Sequence, residues 1–564
     1  MLRGTARSPY AKKPPDFDKL AKLYPKQLGP HVTEQGNGRV LIDFQNGDAC
    51  RALTQVLLLH DFGIHAPQAA DRLCPPVPNR LNYVLWVQDL LAASLQSSTT
   101  GTSPPTALCE IPSPWSAAIE SEHRSKRQRI EDDKSSGQPE VAVQILDIGT
   151  GASGIYPLLG CALDDRWTFT ATDTDGESLN LAQKIVDAPE NESKRLKNRI
   201  RYLLRKRSDS LLPLDHAEGT GAAERALLYH ATMCNPPFYT STDEMKESAE
   251  AKVDMPSAAC TGTESEMITQ GGEVTFVTRM IRESLAPEAR EKIVWLSSML
   301  GKISSVSALV KELQSNRVSH LEMVVSPLAQ IDQELVQIDN YALTEFVQGR
   351  TRRWAIAWSH QAYRLPDSVA RNVGPSLRTH APPSNRVFKT FEQNPAGHKP
   401  RSLLGKLAEL LRGTAKVTES CGSEPSERSS DQKDEGDNTE RVLLDASFSV
   451  DTWSRAARRA RERAAKEGQS AQPVPTSTAP ILCLRCESAY QGASGTSHGE
   501  APAQNSSERS IWSKTEPGRP LQQTSLVVSI TWTYGHSRAD FAACSNSLLR
   551  RLETSIPPVN HTQA

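Results

Sequence analysis

The sequence predicts an α/β domain built on a mostly parallel sheet, and three observations carry that expectation. An apolar run, Val141 to Ile148, stops at Gly149-Thr150-Gly151, as a buried strand entering a tight turn does. Strand-like runs recur at Trp167 to Thr172, Arg201 to Leu204, Ala226 to Cys234, Lys292 to Ser297 and Arg353 to Trp358. Helical patterns at Gly176 to Ile185, Glu273 to Leu285 and Ser305 to Leu313 lie between several of them. Alternation of this kind means a parallel sheet with crossover helices, here over residues 140–365.

The first strand ends in Asp147-Ile148-Gly149-Thr150-Gly151. Glycines there let the backbone turn tightly and approach a ligand where a side chain would clash, which makes Asp147, Gly149 and Gly151 candidate cofactor-binding residues. The turn lacks the lysine of a phosphate-binding P-loop. The second strand ends in Asp173, placed to accept hydrogen bonds from ribose hydroxyls, with Asp175 as a rival for that role.

The fourth strand closes on Cys234-Asn235-Pro236-Pro237-Phe238. Two consecutive prolines hold the chain extended and leave carbonyls without ladder partners. The Asn235 amide oxygen and the Pro236 carbonyl can then face one ligand amine, while Phe238 stacks on its ring. An adenine amine is a poor nucleophile because its lone pair is delocalised; two acceptors on its hydrogens favour pyramidalisation. Cys234 precedes the element on a buried strand and is expected to be a packed core residue rather than a nucleophile. The long polar stretch Tyr239 to Gly272 directly follows, as a loop gating the site would.

These motifs resemble the class I amino-methyltransferases and, more narrowly, the methyltransferase-like protein 16 family with its bacterial relatives that methylate adenine in large-subunit ribosomal RNA. The resemblance runs from about residue 30 to 365. It rests on RLNYVLWVQDLL (80–91), ILDIGTGASGIYPLLG (145–160), CNPPF (234–238), GGEVTFVTRMI (271–281), SSMLGK (297–302) and EFVQGRTRRWAIAW (345–358). It implies a class I Rossmann-like fold, S-adenosylmethionine as cofactor, and transfer of its methyl group to the N6 amine of an adenine. It further implies that Arg80, Gly149, Asp173 and Asn235 contact the cofactor, joined by a residue near Ser210. Asn235, Pro236, Pro237 and Phe238 match the family's catalytic element. Arg350, Arg353 and the basic region before residue 92 match surfaces that hold RNA. The family usually carries Glu where this chain has Asp173, so its ribose hydrogen bonds are expected to shift or pass through water.

Around the α/β domain the sequence predicts a helical N-terminal RNA-binding extension, a linker, a second linker and a small α+β domain. The extension, residues 1–92, has helical patterns at Asp48 to Asp61 and Leu81 to Leu91, joined by an extended connection at Pro75, Pro76 and Pro78. Residues 93–139 are Ser/Thr/Pro-rich, with a basic knot at Arg124, Lys126, Arg127 and Arg129 that suits a nuclear localisation signal or a solvated charge run. Residues 366–440 are expected to be largely disordered apart from a short helix at Leu403 to Leu411. The α+β domain spans 441–555, interrupted by a disordered insertion at 488–522. It includes a basic helix, Trp453 to Lys466, whose Arg458 and Arg459 suit phosphate contact, and a strand-turn-helix from Leu526 to Leu552.

Composition narrows the setting. Net charge is −1 over 564 residues, so any nucleic-acid contact must come from charge placement rather than from the total. No apolar run reaches the roughly 20 residues of a membrane span, and the basic segment Met1 to Lys13 lacks the apolar stretch of a secretory signal. Cys483 and Cys486 form one CxxC without a second ligand pair, so no metal site is expected. The expected partner is structured RNA with an unpaired or bulged adenine, which avoids the cost of unstacking. The expected compartment is the nucleus, with the cytoplasm as a second location. U6 small nuclear RNA is the favoured substrate by resemblance. Ribosomal RNA, a protein glutamine methylated at N5, and a non-catalytic RNA-binding role are the alternatives.

Overall fold

The computed structural model describes residues 7–11, 13–36, 39–96, 142–214, 229–244, 262–315, 338–348, 351–391, 400–422, 441–454, 456–457, 459–460, 463, 480–491 and 525–556. They fall into two units, one within 1–96 and 103–383, the other chiefly within 384–564.

In the first unit, helix α1 (Phe17–Leu23) starts at Asp16, whose carboxylate accepts from Lys19 N at 3.1 Å. Strands β1 (Val32–Glu34) and β2 (Val40–Ile42) pair antiparallel. Helix α2 (Gly47–Phe62) is capped by Asn46, which accepts from the amides of Asp48 and Ala49, and it ends at Gly63 with φ 64°. Helix α3 (Val77–Gln96) includes Pro78 in its first turn, where a missing N–H leaves no orphan. The extended connection expected through Pro78 therefore stops one residue before Val77.

The chain then alternates as the sequence predicts. The elements are β3 (Val143–Ile148), α4 (Ile155–Leu163), β4 (Trp167–Asp173), α5 (Gly176–Asp187), β5 (Ile200–Leu204) and β6 (Tyr229–Cys234). There follow α6 (Glu264–Met267), α7 (Gly272–Glu283), α8 (Pro287–Lys292), β7 (Ile293–Leu300) and α9 (Ile303–Ser315). The unit closes with β8 (Tyr341–Gln348), β9 (Thr351–Trp358), α10 (Asp367–Ala370) and β10 (Arg371–Asn372). The eight-stranded sheet has the order β10-β8-β9-β7-β6-β3-β4-β5. Strands β3 to β7 are parallel neighbours, and β9 runs against both β7 and β8. This is the Rossmann-like α/β arrangement of class I methyltransferases. The strand order reverses beside β3, so a crevice opens between the carboxyl ends of β3 and β6, where ligands bind in open α/β sheets.

The described residues of the expected N-terminal extension, 1–92, share the core of the sheet. The Tyr83 hydroxyl on α3 meets Ser297 Oγ of β7 at 2.8 Å, and Trp86 Nε1 donates to Val369 O at 3.3 Å. Trp86, Trp167 and Trp295 belong to one buried cluster.

The second unit has, among its described residues, a five-stranded antiparallel sheet, order β11-β15-β14-β13-β12, and helices packed on it. Its elements are β11 (Arg386–Phe391), α11 (Pro400–Leu411), β12 (Lys416–Gly422), β13 (Arg441–Phe448), β14 (Leu482–Gln491), β15 (Ser525–Gly535) and α12 (Arg538–Ser555). Leu403, Leu407 and Leu411 of α11 join Phe541, Leu548 and Leu552 of α12 in its core. The small α+β domain is present and the helix expected at Leu403 to Leu411 is α11, yet the expectation of disorder is corrected over 366–391 and 412–422. α10 and β10 belong to the first unit, and β11, α11 and β12 complete the second, which begins at Ser384 rather than 441. The reason is that β11 and β12 are the two edges of their sheet, and edge strands carry polar and charged residues that imitate a solvated linker. Strand β14 also extends to Gln491, into the insertion expected from 488.

The basic knot at 124–129 lies outside the described residues, as does half of the Trp453 to Lys466 segment. Cys483 and Cys486 are buried on β14. No helix among the described residues is long and apolar enough to cross a membrane.

Candidate active site

The carboxyl ends of β3, β4 and β6 open into a cavity of about 410 Å³. Its wall brings together Arg80, Gly149, Gly151, Asp173, Ser210, Asn235, Pro236 and Pro237, residues widely separated in the chain. The first turn depends on glycine. Gly149, Gly151 and Gly154 have φ of 73°, 65° and 56°, the left-handed region. Gly149 N and Thr150 N both donate to Thr172 O at 2.9 Å, which ties the turn to β4. A Cβ at Gly149 would meet no atom within 4 Å, so a side chain there would occupy ligand space.

Asp173 accepts from Gly151 N and Asp175 N, each at 2.9 Å. Burial pushes its carboxyl up, while these amides favour the charged form. Its oxygens retain lone pairs for hydroxyl donors at the cavity wall. The rival Asp175 is engaged elsewhere, capping α5 through Glu177 N at 3.0 Å and pairing with Arg72 at 2.7 Å.

Asp147 does not reach the cavity. It lies fully buried beneath the turn, and neither carboxylate oxygen has a hydrogen-bond partner among the described residues. Burial pushes its carboxyl up to about 7. Below the ordinary carboxyl range both folded and unfolded chains hold the proton, and the group costs nothing. As pH rises towards 7 the unfolded chain ionises first, so stability is lost. Asp147→Asn is therefore expected to gain more stability over the unaltered chain at pH 8 than at pH 4, by roughly 4 kcal/mol. Denaturant midpoints at the two pH values check this; an equal difference at both would contradict it.

The strand end before Asn235 is held by a chain of hydrogen bonds that begins on α3. Cys234 N donates to the Tyr83 hydroxyl at 3.3 Å, and the Ser297 hydroxyl donates to Thr232 O at 2.6 Å. The Tyr83 hydroxyl must then donate to Ser297 Oγ, and Ser297 N donates to Thr232 Oγ1 at 3.0 Å. This fixes the backbone immediately before Asn235. Asn235 Oδ1 is buried without a partner among the described residues, an acceptor that a ligand donor would satisfy. Burial pushes the Cys234 thiol up, so it stays protonated and is no nucleophile.

Phe238 stands beside the cavity rather than in its wall. A Cβ at Gly301 would come within 2.8 Å of its ring, so the glycine is what lets the ring sit there. Glu273 holds that turn, its carboxylate accepting from Gly301 N at 2.7 Å and Lys302 N at 3.0 Å. The Arg353 guanidinium lies over the Phe238 ring, 5.6 Å from its centroid, and burial pushes its pKa down. Arg80 is 6% exposed and donates to Met299 Sδ at 3.0 Å. Ser210 Oγ donates to Glu283 Oε2 at 2.8 Å. Arg350 and Arg458 lie outside the described residues, and Arg459 is exposed in the second unit.

Of the stretch Tyr239 to Gly272, residues 245–261 are outside the described residues. Its ends dock on each other, Tyr239 N donating to Met267 O at 3.0 Å and Thr269 N to Tyr239 O at 2.9 Å. Glu266, Ile268, Thr269 and Gln270 line the cavity.

Sequence reasoning did not single out Tyr83, Thr232, Ser297, Glu273 or Gly301 as individuals, although most fall within the segments that carried the resemblance. The open space at Gly149, the acid at the end of β4 and the orphaned Asn235 oxygen fit a nucleoside-bearing cofactor with an amine acceptor beside it.

A family model described as RNA methyltransferase matches residues 4–104 and 128–362. The chain is 35% identical over 356 residues to the RNA N(6)-adenosine-methyltransferase METTL16 of Mus musculus, covering 63% of this chain and 51% of the relative. It is 33% identical over 359 residues to the U6 small nuclear RNA (adenine-(43)-N(6))-methyltransferase of Schizosaccharomyces pombe, covering 64% of this chain and 71% of the relative. Among solved structures it is similar to the hMettl16 catalytic domain in complex with MAT2A 3'UTR hairpin 1. That match has a TM-score of 0.46 and 32% identity, covering 63% of this chain and 95% of that one. The chain spans about half the length of the METTL16 relatives it matches.

Proposed function

The chain belongs to this RNA methyltransferase family, and from that premise we propose that it methylates the N6 amine of an adenine in structured RNA, using S-adenosylmethionine. The observation that carries the proposal is that Asn235, whose Oδ1 has no partner among the described residues, lines one cavity with Gly149 and Asp173. When bound, S-adenosylmethionine supplies an electrophilic methyl group on a sulfonium.

Asp173 accepts hydrogen bonds from the ribose hydroxyls, and Arg80 and Ser210 belong to the same cavity wall. Asn235 Oδ1 and the Pro236 carbonyl accept the two amine hydrogens of the adenine. Both oxygens then stabilise the positive charge that builds on nitrogen, at a strand end whose preceding backbone is already tied to α3 and β7. Phe238 stacks on the base. Arg353 covers that ring until the base takes its place, and its guanidinium then serves a phosphate together with Arg350. Arg458 and Arg459 add phosphate contacts from the second unit, which makes RNA affinity fall with salt.

The name of the Schizosaccharomyces pombe relative supports U6 small nuclear RNA as the substrate, and with it the nucleus as the compartment. The test offers isotope-labelled cofactor to the full chain with a U6-like hairpin and with nuclease-treated protein extract. Label recovered as N6-methyladenosine after nucleoside digestion is the expected result. Label in protein glutamine, or in neither fraction, would overturn the proposal.

A further inference from the structure

Glu266 is a half-buried acid at the cavity wall that the proposed transfer does not use. It sits on α6, beside the first turn. Its Oε2 accepts from Leu73 N at 3.0 Å, Thr263 N at 2.9 Å and Thr263 Oγ1 at 3.2 Å. Those bonds fix the carboxylate and leave Oε1 pointing the other way. Oε1 lies 3.9 Å from where a Cβ on Gly151 would stand, and it makes no hydrogen bond among the described residues.

We infer that Glu266 binds the α-ammonium of the cofactor's amino-acid tail, an inference that rests on the cofactor assigned above. The ribose end belongs to Asp173 on β4 and the transfer end to Asn235 on β6, with β3 between them. The tail is left the space over the turn that follows β3, where Gly151, Ala152, Ser153 and Glu266 line the cavity. A group of either charge has to be matched there. The other acids near the first turn are already engaged: Asp173 by two backbone amides and Asp175 by Arg72 and the α5 cap. Glu266 alone among these presents an uncommitted oxygen to the tail. Because the same carboxylate holds Leu73 and Thr263, it also joins the segment before α3 to the segment before α7 around an occupied site.

Glu266→Gln separates this role from a merely structural one, since the amide oxygen still accepts from Leu73 N and Thr263 N. Calorimetric titration of the full chain would compare S-adenosylhomocysteine, which has the ammonium, with 5'-methylthioadenosine, which lacks the whole tail. The expected result is about a tenfold loss of S-adenosylhomocysteine affinity with methylthioadenosine unchanged, as for a lost charge-assisted hydrogen bond. Equal losses for both ligands, no loss for either, or tighter binding of S-adenosylhomocysteine (the sign of a carboxylate facing Glu266) would overturn the inference. Failure of the unaltered chain to bind S-adenosylhomocysteine would overturn the cofactor assignment and this inference with it.

Discussion

Asn235→Ala is expected to lower single-turnover methyl transfer to RNA by about a hundredfold to a thousandfold, with RNA affinity little changed. The magnitude is that of removing one preorganised hydrogen bond that strengthens as charge develops. The Asn235 oxygen is buried and makes no hydrogen bond among the described residues, so the arriving amine supplies a partner it lacks. Alanine removes the acceptor and leaves the amine hydrogens one partner, the Pro236 carbonyl. The loss should fall on the chemical step, since phosphate contacts made elsewhere hold the RNA. Rapid-quench rates with saturating cofactor and RNA measure it. A variant with the unaltered rate would remove Asn235 from the mechanism.

Phe238→Ala carries the next largest effect, a loss of roughly tenfold to a hundredfold in kcat/KM, as expected for one base–aromatic stack of about 1–3 kcal/mol. The ring is held against Gly301, whose turn is pinned by Glu273. Gly301→Ala therefore provides a second variant with the phenyl ring intact but displaced, because its Cβ would come within 2.8 Å of Phe238. Both changes should cost activity, while Phe238→Tyr, which keeps the stacking face, should retain most of it. If Phe238→Ala and Phe238→Tyr behaved alike, stacking would not be the ring's role.

The parts of the site that could be read from sequence are those where the chemistry is local. Gly149-Thr150-Gly151 and Asn235-Pro236-Pro237 each put a backbone requirement and a ligand requirement into consecutive residues. Asp173 was legible because its distance along the chain matches one strand-helix-strand unit. The supports were not legible, because they join residues far apart in sequence. Tyr83 reaches Cys234 and Ser297 from α3, and Glu273 reaches Gly301 from α7. An acid in the first turn of a helix is ordinary, so nothing in the segment marks Glu273 as the holder of another turn.

Strand β8 escaped for a related reason: Glu345 interrupts its apolar run, yet is 2% exposed, paired with Arg352 and accepting from Gly374 N. Buried pairing of this kind has no signature in a single sequence. The edge strands β11 and β12 looked like linker because exposure on one side favours polar residues there.

A structure of the full chain with S-adenosylhomocysteine and an adenine-containing RNA hairpin tests the central claim most directly. The expected result places the adenine N6 within about 3.2 Å of both Asn235 Oδ1 and the Pro236 carbonyl, facing the sulfur. An adenine bound with its N6 away from those two oxygens would contradict it.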